Sequence, residues 1–210
     1  LLKMDNIKKV KALSIWIFIV PFVAVNTCLI LITQFHNLFP NPENIIHNTF
    51  PYLDGGASIS RTARYFPTYL IFKPAMFLTA YFLIKYWIYS KQIILKIHGN
   101  HKYVKKMLFF GIGSAICLVT HSIFLGIKFD IDAYKLFRRV IMLSFIIFEV
   151  TAQTYFVLIF YSIKSKLKSF INEKYLKCKA VLVSILIFVG IIALPLVTMP
   201  GNKHLKHALE

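Results

Sequence analysis

Apolar residues in this chain come in blocks of about twenty, and that pattern constrains the fold more than any other feature. About twenty residues of helix, rising about 1.5 Å each, cross the ~30 Å hydrocarbon core of a bilayer. The blocks run over 13–35, 69–89, 107–127, 136–161 and 180–199, and the segments between them are rich in Lys, Pro or Gly. Hydrophobic residues are 58% of the 210, above the roughly 45–50% of soluble domains. The expected fold is all-α: one transmembrane domain, a polytopic helix bundle of five spans. A membrane β-barrel needs alternating segments of about ten residues, and none is present.

The formal net charge is +17, a value also seen in nucleic-acid binders. Here the lysines cluster in short segments beside apolar runs, where they act as topology signals and meet anionic headgroups. No groove-reading module accompanies them, so a nucleic-acid partner is not expected. Sixteen of the 25 Lys and Arg, including Lys85 at the edge of span two, fall in the N-terminal segment and in or beside the loops after spans two and four. The positive-inside rule then puts the N-terminus in the cytoplasm. The long loop 36–68, with Pro40, Pro42, Pro51, Gly55, Gly56 and Pro67, takes the opposite face. The Asp130/Asp132 connection shares that face.

Local signals refine the spans. Pro21 inside span one should bend it, a defect that neighbouring helices can accommodate. Lys73-Pro74 opens span two, where Pro suits a first helical turn. Gly111-Ile112-Gly113-Ser114-Ala115 gives span three a small-residue face for close packing. In the long loop, 58–66 reads as one or two helical turns at the interface. The first run is longer than a signal-peptide core and lacks a small-residue cleavage site, so it reads as a retained span, with Met4 a candidate start. Cys28, Cys117 and Cys178 show no CxxC or metal spacing. They read as small apolar filler, Cys178 between two lysines also as a palmitoylation acceptor. The histidines outside the spans form no metal arrangement, and no metal or cofactor is expected.

Ionisable residues inside spans are costly and mark candidate sites. Glu149 and His121 are the two here. At the helical rise, Glu149 lies ~20 Å, His121 ~9 Å, Asn26 ~13 Å and Thr79 ~15 Å below the non-cytoplasmic ends of their spans. One polar pocket opening toward the long loop would hold all four. Arg138, Glu149 and Gln153 share a face of span four by spacing. Arg61, Arg64, Lys73, Arg138 and Arg139 would form a cationic rim, and guanidinium pairs well with phosphate. Each also has a plainer reading. Glu149 with Gln153 can serve only to hydrogen-bond neighbouring helices, His121 to fill space, and the arginines to anchor a membrane edge. No GxSxG, HExxH, P-loop or dinucleotide fingerprint is present.

Phe50-Pro51-Tyr52-Leu53-Asp54, followed by Ser58-Ile59-Ser60-Arg61, Pro67 and Phe72, resembles the first extracytoplasmic loop of the Frag/DRAM/Sfk family. The nearest subgroup is the one that remodels the lipid of GPI anchors. His204-Leu205-Lys206-His207-Ala208-Leu209-Glu210 is similar to the family segment before its last helix, where His and Glu are typically followed by Trp. Family members usually have six spans, so the resemblance implies a sixth beyond the five read here. It further implies an ER or Golgi membrane protein acting on a GPI or phospholipid-like lipid, with membrane lipids and GPI-anchored proteins as partners. In that reading Ser58, Ser60, Arg61 and Arg64 clamp a headgroup and His121 is the candidate base of an acyl transfer. Two other classes stay open: a non-enzymatic regulator or scaffold of lipid organisation or autophagy, and a small proton- or ion-coupled transporter using Glu149.

Overall fold

The computed structural model describes residues 2–41, 44–46, 59–127, 131–164 and 172–198, and their side chains except 2–4, 60, 135 and 193–198. Ser58, Asp54, Asp130, the motif 50–57 and the tail 204–210 lie outside the described residues, as does the side chain of Ser60. Every regular element described is helical: α1 (Leu2–Gln34), a 3-10 turn (His36–Leu38), α2 (Ile59–Thr62), α3 (Tyr69–His98), α4 (Val104–Phe124), α5 (Asp132–Ser162) and α6 (Glu173–Thr198).

Four of these helices are long and apolar enough to cross a membrane: α1 over Asp5–Gln34, α4, α5, and α6 over Glu173–Ile192. The expected span 69–89 is helical throughout but is not among the four. Lys73, Lys85 and the tyrosines 69, 81, 86 and 89 dilute its apolar run. This helix lies between α1 and α4 and buries Phe72, Met76, Ala80, Leu83 and Trp87. The apolar criterion thus gives four crossings where the block pattern gave five.

Helix ends depart from the expected ones at the lysine-rich segments, which are helical where loop is expected. α1 starts at Leu2 and takes in Lys8, Lys9 and Lys11, with Asp5 in its first turn, favourable to the helix dipole. α3 runs nine residues past Tyr89, so the loop expected at 90–106 shrinks to 99–103. The cause is packing: Ile93 and Ile94 are buried, and Asn6 of α1 donates to Gln92 at 2.9 Å. The helix stops at Gly99, whose φ of +76° suits the residue just past a helix end. α6 begins seven residues before its apolar run, where Asn172 Oδ1 accepts from the Lys174 N–H at 2.9 Å, a side-chain cap.

Successive long helices pack side by side, α1 on α3, α3 on α4, α4 on α5 and α5 on α6. One core cluster, at the lysine-rich end, joins Tyr86, Trp87, Met107, Phe156, Ile159 and Leu176. A second, toward the other end, joins Cys28, Phe72, Met76, Ala115, Leu118 and Leu125. The expected small-residue face is present and is used twice. A Cβ on Gly111 would stand 2.5 Å from the Trp87 ring, and one on Gly113 would stand 2.7 Å from Phe148. Gly111 therefore sets the approach of α3 to α4, and Gly113 that of α5. Outward faces stay apolar, with Phe18, Phe22, Phe109, Ile116, Phe188 and Ile191 exposed. Such a surface is compatible with lipid rather than water around the bundle.

Candidate functional site

The connection between α4 and α5 brings the two arginine-bearing regions together. Gly126, at φ +93°, packs so closely that a Cβ there would meet the Arg64 carbonyl oxygen at 3.1 Å. The end of α4 is thereby seated on the turn before α3. Lys73 Nζ donates to the Ile123 carbonyl at 3.4 Å, and Tyr134 donates its hydroxyl proton to the Phe124 carbonyl at 2.8 Å. The Arg138 guanidinium lies 6.0 Å from the Tyr134 ring centre. Thr68 ties the same turn down by donating to the carbonyls of Thr62 and Tyr65.

Arg64, His121 and Arg138 converge on this point. The two guanidinium groups repel one another, and Arg138 acts on His121 electrostatically. Three of their nitrogens, Arg64 Nε, His121 Nδ1 and Arg138 Nε, are buried from solvent without a hydrogen-bond partner among the described residues. No described carboxylate pairs with either arginine. Among the described residues, these two adjacent cations with unused donors form a site short of an anion. Phosphate fits it, because a guanidinium offers its donors in a planar fork.

Glu149 belongs to a different layer. Its Oε2 is 2.7 Å from Ser114 Oγ and its Oε1 accepts from Gln153 Nε2 at 2.8 Å. Ser114 also reaches its own Gly111 carbonyl at 2.9 Å. An ionised Glu149 accepts from Ser114; a protonated one donates to Ser114, which then donates to Gly111. The Ser114–Glu149 contact survives in both states, while Gln153 Oε1 is buried without a hydrogen-bond partner among the described residues. The Trp87 indole N–H approaches the carboxylate without completing a bond. Lys179 of α6 is within electrostatic reach; its ammonium donates to Tyr86 Oη at 3.2 Å and sits 4.0 Å above the Phe156 ring.

The sequence-derived residues therefore separate. Arg64, Lys73, Arg138 and His121 come together, and Glu149 pairs with Gln153. His121 and Glu149 do not meet: Ser114, which touches Glu149, is seven residues or ~10 Å along α4 from His121. Asn26 donates to the Phe22 carbonyl at 2.6 Å and Thr79 to the Ala75 carbonyl at 2.8 Å, each on its own helix. Arg61 and Arg139 are exposed. Ser114, Trp87, Tyr134 and Lys179 were not singled out from the sequence as site residues. Lys179 reads from the sequence as a loop cation, and only its place directly before the apolar run that begins at Ala180 points to a helix. Comparison with protein-family models, with curated proteins and with solved structures finds no match.

Proposed function

We propose that this chain is a multi-pass membrane protein that holds the anionic headgroup of a lipid at Arg64, Arg138 and His121. In this reading α3 crosses the membrane as the fifth span, the N-terminus is cytoplasmic, and the arginine cluster opens to the lumen. The supporting observation is the pair of adjacent guanidinium groups with buried, unused donors and, among the described residues, no carboxylate. Around them stand exposed Leu70, Ile71, Ile123, Ile127, Leu136 and Phe137, a collar suited to acyl chains. The loop resemblance adds the process, lipid remodelling of GPI anchors in the ER or Golgi. Binding rather than acyl transfer is the proposed activity, because no described carboxylate orients His121.

The test is binding of phosphatidylinositol against phosphatidylcholine to the purified chain in nanodiscs. Arg64→Gln with Arg138→Gln should abolish the preference while leaving the fold intact. An unchanged preference sinks the headgroup reading, and unchanged anchor lipids in a knockout sink the GPI process. A transporter reading draws on the membrane-depth Glu149 with Lys179 nearby. Proton or cation flux in liposomes that disappears in Glu149→Gln would replace the lipid reading with it. A lipid-organising or autophagy regulator would bind the headgroup yet leave anchor lipids unchanged.

A further inference from the structure

A groove at the opposite, lysine-rich end is not used by that site. It lies between α5 and α6, has a volume of about 710 Å³, and is lined by Tyr161, Lys177, Ala180, Val181, Ser184, Ile185 and Phe188. The residues from α6 follow the spacing of a single helical stripe. From Lys177 to Phe188 is eleven residues, ~16 Å of helix. That is close to one leaflet, half of a ~30 Å hydrocarbon core.

The chemistry changes along that length. One end of the α6 stripe carries a cation, Lys177, and Tyr161 of α5 lines the same groove. The rest is Val181, Ile185 and Phe188. Ser184 donates to the Ala180 carbonyl at 3.0 Å, so it presents no unmet polar demand. Lys164, three residues beyond Tyr161, and Lys174, three before Lys177, are exposed at the same end; Glu173 is the carboxylate nearest them in sequence. Lys179 faces away, held by Tyr86 and Phe156. A purely apolar partner helix would cover the floor and leave Lys177 without a counter-charge. A zwitterionic lipid would bring its own cation to the lysines.

We propose that this groove seats an acidic phospholipid of the lysine-facing leaflet, its anionic headgroup on Lys177 and Lys174 and one acyl chain along Val181, Ile185 and Phe188. The proposal rests on α5 and α6 crossing the membrane and is independent of the arginine site. In the test, the full chain carrying Phe188→Trp is reconstituted with phosphatidylserine or phosphatidylcholine bearing brominated chains. The serine lipid should quench the new tryptophan more strongly, with a preference falling about fivefold per lysine removed in Lys177→Gln and Lys174→Gln, the fold-change of ~1 kcal/mol per cation. Arg64→Gln with Arg138→Gln should leave it unchanged, and native mass spectrometry should show the serine lipid retained. Equal quenching by the two lipids assigns the groove to bulk lipid and overturns the proposal. Quenching by neither, together with a dimer in sedimentation, assigns it to a second copy and overturns it too.

Discussion

Gly111→Ala should destabilise the bundle, against the usual effect of that change in a helix. Alanine is favoured over glycine in a helix interior by roughly 0.5–1 kcal/mol. At Gly111 the added methyl meets three atoms of the Trp87 ring at 2.5–2.6 Å, where ordinary contact begins near 3.4 Å. The ring must retreat by about 1 Å, and it has no room. Trp87 is fully buried, with Tyr86 at 5.0 Å and Phe156 at 6.1 Å between ring centres. Overpacking of this kind costs about 1–3 kcal/mol, so the net loss after the helix gain is up to about 2.5 kcal/mol, with a central value of ~1 kcal/mol. Gly190 supplies the control, since a Cβ there meets nothing within 4 Å, and Gly190→Ala should be neutral or mildly stabilising. Thermal unfolding of both variants in one detergent, followed by circular dichroism, reads the difference. If Gly111→Ala proves as tolerant as Gly190→Ala, then Gly111 does not set the spacing of α3 and α4.

Three further outcomes are expected. Arg64→Gln with Arg138→Gln should raise the thermal midpoint of the lipid-free protein, because it removes two like charges with unused donors; a fall would mean that the cluster is internally compensated. Ser114→Ala should cost about 1–3 kcal/mol, leaving a buried carboxylate oxygen without its partner, and an unchanged unfolding midpoint would count against the Ser114–Glu149 contact. The third concerns His101, whose Nδ1 accepts from the Tyr103 N–H at 3.3 Å while Nε2 lies 3.1 Å from Ser162 Oγ. Burial, with smaller help from His98 and Lys102, holds this imidazole below its ordinary value. The unfolded chain then takes up the proton first, so the clip's contribution is complete above about pH 6.5 and declines as pH falls below it. Hydrogen exchange at the Tyr103 amide should quicken below that pH, and His101→Gln should flatten the response.

The bundle was legible in the sequence because a twenty-residue apolar run leaves few alternatives to a helix. Its lengths were less so. The lysines of 91–98 look like loop when counted as charges, yet they lie on the outer side of a helix whose isoleucines 93 and 94 are buried. Spacing within a helix was readable, as the Glu149–Gln153 pair shows. Contact between helices was not: Ser114 reaches Glu149 only because Gly111 and Gly113 set how closely α4 approaches its neighbours. The meeting of Arg64, Arg138 and His121 was half visible. A short connection makes α4 and α5 neighbours, while the seating of Gly126 on Arg64 depends on a backbone shape that composition does not encode. Lys179 was the least legible, since nothing in a lysine-rich segment distinguishes the one side chain that turns inward.

That lysine also implies an order of assembly. Among the long helices α6 packs chiefly on α5, and its ammonium reaches across to Tyr86 of α3 and Phe156 of α5. A lone lysine is expensive in hydrocarbon, and the aromatic cradle that shelters it exists only once α3 and α5 are side by side. In a chain made at a membrane, α6 leaves the ribosome after α3 and α5, the helices that form that cradle. The charge can then pass from the insertion machinery into protein without crossing lipid. A chain with α6 moved ahead of α3 should consequently insert poorly, and Lys179→Met should restore it.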